Sequence, residues 1–138
     1  MQIREMSLKE LYPVYDLVKQ LRVELSYKEF EDLIYEMRHI NYKMFGVLER
    51  GELMSYAGVS IITNLYHKRH LFVYDLVTDE KHRNKGYAKE MLKYLDDFAK
   101  TSMCENIVLS SDLQKEDAHI FYENNAFKKK SIVFLKEV

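Results

Sequence analysis

The densest group of chemically capable residues is Val77-Thr78-Asp79-Glu80-Lys81-His82-Arg83-Asn84-Lys85-Gly86-Tyr87-Ala88. An apolar strand ends there, a charged loop turns, and an amphipathic helix begins at a glycine. The first turn of a helix leaves backbone N–H groups unpaired, and the macrodipole adds partial positive charge, so such a junction attracts anions, phosphates above all. Gly86 lets the backbone approach a phosphate closely, and Ala88 keeps the first turn free of bulk. Lys81, Arg83, Lys85 and Lys89 place positive charge around the same mouth. A solvated loop ahead of an ordinary helix is the plainer alternative. The two common glycine-rich phosphate motifs, G-x-x-x-x-G-K-[ST] and G-x-G-x-x-G, are absent: Gly46 and Gly51 have the first spacing but are followed by Glu52-Leu53, and no two glycines stand two apart as the second requires.

Asp75 is the only acidic residue in the apolar run Leu71–Val77. A carboxylate there is costly to bury without a purpose or a partner. It is either a working acid–base group or a structural acceptor at a strand kink, and the sequence leaves both open. Cys104 lies in a helix–strand connection without a recognisable histidine partner, which argues against a nucleophile. His67 and His70 share a loop with Lys68 and Arg69 but have no adjacent acid or cysteine, so an exposed basic loop is expected, with no metal.

The elements that must position these groups follow from periodicity. Gln2–Met6 alternates as a short strand. Two capping-box spacings, Ser7 to Glu10 and Ser26 to Glu29, open helices with apolar faces at Leu11, Val14, Val18, Leu21 and Leu25, then Phe30, Leu33, Ile34 and Met37. The period then shortens. Lys43–Leu48 and Leu53–Ile62 read as strands around a turn at Glu49-Arg50-Gly51-Glu52, and Thr63–His70 as a polar loop. Leu71–Thr78 reads as a central strand buried on both faces. Tyr87–Lys100 is an amphipathic helix, Ile107–Leu109 a short strand, Asp117–Glu123 a short helix and Ile132–Leu135 a last strand. This order predicts an α/β fold with a mixed, mostly antiparallel sheet and helices on both faces.

Composition bounds the function. The 138 residues, with 47% hydrophobic and 31% charged, suit one domain over residues 1–138 without disulfide or metal support. Net charge −1 gives no overall basic field for nucleic acid or anionic lipid. The single cysteine excludes an intrachain disulfide and a cysteine-cluster zinc site. No apolar run approaches the ~20 residues of a membrane span, and Met1-Gln2-Ile3-Arg4-Glu5 carries charge where a signal peptide is apolar. A cytoplasmic protein is expected.

Arg83-Asn84-Lys85-Gly86-Tyr87-Ala88 resembles the Q/R-x-x-G-x-G/A signature of the GNAT family of N-acetyltransferases. Asp117-Ala118-His119-Ile120-Phe121-Tyr122-Glu123-Asn124-Asn125-Ala126-Phe127 resembles that family's later AHxFYexxGF segment, with Ala126 where the family usually has glycine. The order of elements is similar too.

The resemblance implies a GNAT-type acyl-CoA N-acyltransferase fold that uses acetyl-CoA as co-substrate, with no metal, to acetylate a primary amine of a small molecule or peptide by direct attack. It assigns Arg83, Asn84, Lys85, Gly86, Tyr87 and Ala88 to the pyrophosphate, and the backbone of Leu76, Val77 and Thr78 to the pantetheine arm. Tyr122 would protonate the departing thiolate. Asp75 would be the base, an ordered water being the alternative, and Tyr74 would line the acceptor pocket. A non-catalytic acyl-CoA-binding domain of the same fold is the second reading, and an anion-binding module without CoA a third. No nucleic-acid or membrane partner is expected, while the edge strands allow a homodimer. The acids of the first two helices lean towards a cationic acceptor, and the basic loop leans the other way.

Overall fold

The computed structural model describes all residues from Met1 to Val138. It divides into two compact units, Met1–Val108 and Leu109–Val138. The first unit begins with β1 (Gln2–Glu5), α1 (Leu11–Leu21) and α2 (Tyr27–Met37). β2 (Lys43–Glu49), β3 (Glu52–Asn64), β4 (Lys68–Thr78) and α3 (Tyr87–Thr101) follow. β5 (Asn106–Leu109) leads into the second unit, whose helix is α4 (Glu116–Asn124). The sheet order is β1-β2-β3-β4-β5, with antiparallel pairing from β1 through β4.

Both capping boxes form. Ser26 Oγ accepts from the backbone N–H of Glu29, and the Glu29 carboxylate accepts from that of Ser26, which starts α2. Ser7 and Glu10 make the same exchange, but around a 3-10 turn, Leu8–Glu10, that runs into α1. Strand alternation then divides the sheet's faces. Met44, Leu48, Tyr56 and Val77 join Leu11, Val14, Val18, Phe30 and Ile34 in one core under α1 and α2. Phe45 points to the opposite face, against Tyr94 and Phe98 of α3.

Arg50 and Gly51 both have positive φ, 53° and 80°, as a two-residue hairpin turn of the primed kind demands. The polar loop expected over Thr63–His70 is shorter than predicted. Ile62, Thr63 and Asn64 pair with His70, Arg69 and Lys68, leaving only residues 65–67 outside the strands. Ladder hydrogen bonds run between backbones, so they continue past the point where the side chains turn polar. His70 is therefore fully buried within β4, not exposed, with its Nδ1 2.9 Å from the Lys68 carbonyl. The strand expected over Ile132–Leu135 does not form, and these four residues are exposed. Alternating apolar residues supply a pattern, but a strand exists only where a neighbouring backbone pairs with it.

Glu10 links β1 to the start of α1. Arg4 donates from Nη1 and Nη2 to its two oxygens at 3.0 and 2.8 Å, and the Ser7 N–H donates at 2.9 Å. The Arg4 guanidinium first, and the Ser7 amide second, lower the Glu10 carboxyl from 4.5 to about 2. A lowered folded-state value stabilises the protein above pH 4.5, and that contribution fades as pH falls towards 2. After allowance for solvent screening, Glu10→Gln is expected to cost about 1 kcal/mol at neutral pH. Urea unfolding of both proteins across the acid range should show the difference shrinking as the pH drops.

Candidate active site

The middle of β4 is irregular. Gly58 pairs with Asp75, but the next residue, Val59, pairs with Val73, so Tyr74 is an extra residue without a partner in β3. The strand is central as expected, yet Tyr74, Asp75 and Leu76 remain half-buried there instead of covered on both faces.

Asp75 is satisfied on both oxygens. Tyr42 donates its hydroxyl to Oδ2 at 2.8 Å. Because that proton is committed, Tyr56 is the donor in the 2.8 Å contact between the two tyrosine hydroxyls. The order is Tyr56 to Tyr42 to Asp75. Burial holds both phenols well above their ordinary pKa, with the Asp75 charge adding to the rise. Arg22, just past the end of α1, donates from Nε to Asp75 Oδ1 at 3.1 Å and from Nη2 to the Tyr74 carbonyl at 2.8 Å.

Tyr42 reaches Asp75 by crossing Gly58, where an added Cβ would overlap its hydroxyl. The backbone turns into that position through Asn41, at φ 56°. Ser60 Oγ, donating to the Ile40 carbonyl at 3.0 Å, holds the turn against the sheet. Arg22, Tyr42, Tyr56 and Gly58 were not among the predicted site residues. Gly58 carried the one usable signal, since a glycine inside a strand often marks close approach by another group.

Beyond Asp75, the strand runs directly into the expected phosphate loop. Leu76, Val77 and Thr78 pair with Ala57, Tyr56 and Ser55 of β3. On the other side, β5 is tied to the start of β4 by the Glu105 N–H donating to the Arg69 carbonyl at 2.8 Å. Its four residues are too few to accompany the eleven of β4. The loop is clamped from α1: Gln20 donates to Asp79 Oδ1 at 3.0 Å and accepts the Glu80 N–H at 2.9 Å. The Gln20 amide and then His82 lower the Asp79 carboxyl, against the opposing effect of burial.

Arg83 Nε points back to the Thr78 carbonyl at 3.4 Å, and Arg83, Asn84, Lys85 and Gly86 are exposed. Gly86 is the N-cap of α3 at φ 86°, with open space where a Cβ would stand and no side-chain cap. The first intrahelical bond closes from Glu90 N–H to the Gly86 carbonyl, so the preceding amides of Tyr87, Ala88 and Lys89 have no helical acceptor. Uncapped amides, exposed cations and open space over the glycine fit a diphosphate. The Tyr87 side chain turns away, donating to Glu49 at 3.2 Å, so only its backbone faces this role.

Tyr122 belongs to the second unit, on α4, between Phe121 and Phe127 at ring distances of 5.6 and 5.7 Å. Burial raises its pKa, which keeps the phenol protonated at neutral pH. The amides of Asn125 and Phe127 both donate to the Tyr122 carbonyl, at 2.9 and 3.0 Å. That closure puts Ala126 at φ 71°, so alanine adopts the conformation for which glycine is suited.

Residues 8–127 match the model of the acetyltransferase (GNAT) family. An uncharacterised N-acetyltransferase of Bacillus subtilis (strain 168) is 31% identical over 134 residues, covering 96% of this chain and 94% of that protein. Among solved structures, an aminoglycoside N-acetyltransferase in complex with CoA superposes with a TM-score of 0.87 at 15% identity, over 99% of this chain and 93% of the other. A ribosomal-protein-alanine N-acetyltransferase from Brucella melitensis biovar Abortus 2308 gives 0.84 at 18% identity, with both chains wholly covered.

Two substitutions probe the local geometry. Gly58→Ala forces Tyr42 off the sheet and is expected to cost about 1–3 kcal/mol. Ala126→Gly relieves a left-handed alanine and, net of the extra freedom of the unfolded glycine, should stabilise by about 0.5–1 kcal/mol. Denaturant midpoints measure both, and their opposite signs are the check.

Proposed function

Because the chain belongs to the acetyltransferase (GNAT) family, we propose that it transfers an acetyl group from acetyl-CoA to a primary amine of a small molecule or peptide by direct attack. The observation that carries this reading is the uncapped, glycine-opened start of α3, ringed by Arg83 and Lys85, directly downstream of the strand bearing Asp75. Acetyl-CoA supplies the acetyl group already activated as a thioester, so the protein has to bind, orient and move protons.

In this reading the amides of Tyr87, Ala88 and Lys89 receive the pyrophosphate, and Gly86 holds the left-handed turn that exposes them. Arg83 and Lys85 add charge, and Asn84, at φ 62°, shapes the approach to that turn. The outer backbone edge of Leu76, Val77 and Thr78 serves the pantetheine arm, a role supported by the shortness of β5. Asp75 takes a proton from the incoming ammonium, leaving the amine lone pair free to attack. Tyr122 gives its proton to the departing thiolate and is suited to this by burial, which keeps it protonated.

One observation favours a second reading, a non-catalytic acyl-CoA-binding domain. Both oxygens of Asp75 are engaged within the protein, as in a purely structural carboxylate. Thiol release from acetyl-CoA across a panel of amines separates the two readings. Tyr122→Phe sharpens the test, because it removes the proton and keeps the ring. A general acid contributes 10²–10⁴-fold, so kcat is expected to fall by about that factor while acetyl-CoA binding holds. Full turnover in the Phe variant would assign the proton to water and leave Tyr122 a packing role.

A further inference from the structure

Arg22 Nη2 occupies an unusual position. It lies 2.8 Å from the Tyr74 carbonyl and 3.0 Å from Asp75 Oδ1, so one cationic nitrogen bridges two oxygens at hydrogen-bonding distance. Tyr74 is the extra residue of the β4 irregularity, and the carbonyl it offers to Arg22 belongs to the one residue there without a β3 partner. The Arg22 side chain is 47% exposed while Asp75 is 16% exposed, so the cation comes in from solvent and the anion is rooted in the sheet. On the rooted side, the Tyr42 hydroxyl holds Oδ2 and is itself held by the hydroxyl of the buried Tyr56. The grip on Oδ1 is the one that solvent and solutes can reach.

We propose that Arg22 is a displaceable internal mimic of the acceptor: a primary ammonium takes the Nη2 position, donating to Asp75 Oδ1 and the Tyr74 carbonyl, while Arg22 swings into solvent. An ammonium has three N–H donors. Two satisfy these oxygens, and the substituent takes the remaining tetrahedral direction alongside the third. The site therefore selects an acceptor that arrives protonated and carries N–H donors, and it disfavours a neutral or fully alkylated one.

This inference rests on the acetyltransferase reading and fixes its proton balance. The ammonium loses one proton to Asp75, which carries it to solvent. The nitrogen forms its bond to the acetyl carbon as the carbon–sulfur bond breaks. The second nitrogen proton leaves as the amide forms, and the thiolate is protonated. The net release is one proton per ammonium consumed. Asp75 can accept its proton on Oδ1 only after Arg22 has released that oxygen, so displacement and deprotonation are coupled.

The test needs no turnover. The rate at which an arginine-specific dicarbonyl modifies Arg22 is followed by mass spectrometry, with exposed Arg50 as internal reference. Methylammonium is compared with tetramethylammonium at equal ionic strength, since the second has the charge but no N–H donor. A partly exposed ion pair restrains its partner by about 1.4- to 5-fold, so methylammonium is expected to speed Arg22 modification within that range. Tetramethylammonium should leave the rate unchanged. In Asp75→Asn the rate should already be high and insensitive to either ion. In the active protein, Arg22→Ala should lower the acceptor KM by a similar factor. Equal responses to the two ions, or no response to either, would overturn the displacement. Thiol release without an Arg22 response would refute this site and keep the activity, whereas an Arg22 response without thiol release would refute the activity and keep the cation site.

Discussion

A carboxylate rooted in the middle of a β-sheet has to be satisfied, and the rest of the first unit is arranged around that demand. Asp75 stands where β3 and β4 lose register, opposite the glycine that leaves room for Tyr42. Tyr42 on its inner oxygen, and Tyr56 behind Tyr42, have their phenols held protonated, so they serve as donors and not as competing anions. The outer oxygen is left to Arg22, from a different element and nearer to solvent. Removing one partner of such a group costs more than the bond itself contributes, because the remaining charge keeps its desolvation penalty. The turn after α2, the end of α1 and the interior of β3 are thereby tied to one atom pair.

The same unit leaves the start of one helix uncapped. α2 begins with a reciprocal side-chain cap, whereas α3 begins at Gly86 with none. Its free amides open towards a loop that carries cations but is itself braced through Gln20 and Asp79. A braced loop presents its backbone donors without a large ordering cost on binding, which is where preorganisation contributes affinity. The bracing comes from α1, the same helix whose end supplies Arg22, so the loop ahead of α3 and the carboxylate share one support.

Positive-φ residues mark where local geometry overrides residue preference. Gly51 and Gly86 occupy such positions with no side chain to strain. Asn41 and Asn84 do so with the side chain best tolerated there after glycine. Ala126 has neither advantage, and two converging hydrogen bonds on the Tyr122 carbonyl hold it in place. The departure from glycine at that position therefore leaves the turn intact and places its cost in stability.

What the sequence determined by itself was whatever depends on near neighbours in the chain. Capping boxes at Ser7 and Ser26, apolar faces at three- and four-residue spacing, the Arg50-Gly51 turn and the glycine opening α3 each act within a few residues. Two such local motifs also carried the resemblance to the GNAT family, which the match over residues 8–127 bears out. Pairing was different. The extension of β3 and β4 through Thr63 and His70, and the absence of a strand over Ile132–Leu135, depend on which backbone lies alongside. The Asp75 network is the clearest case, since Arg22 and Tyr42 stand 53 and 33 residues away along the chain. Only the tertiary structure decided those partners, because a hydrogen bond between distant residues leaves no spacing to read and exists only once the sheet and helices have closed around it.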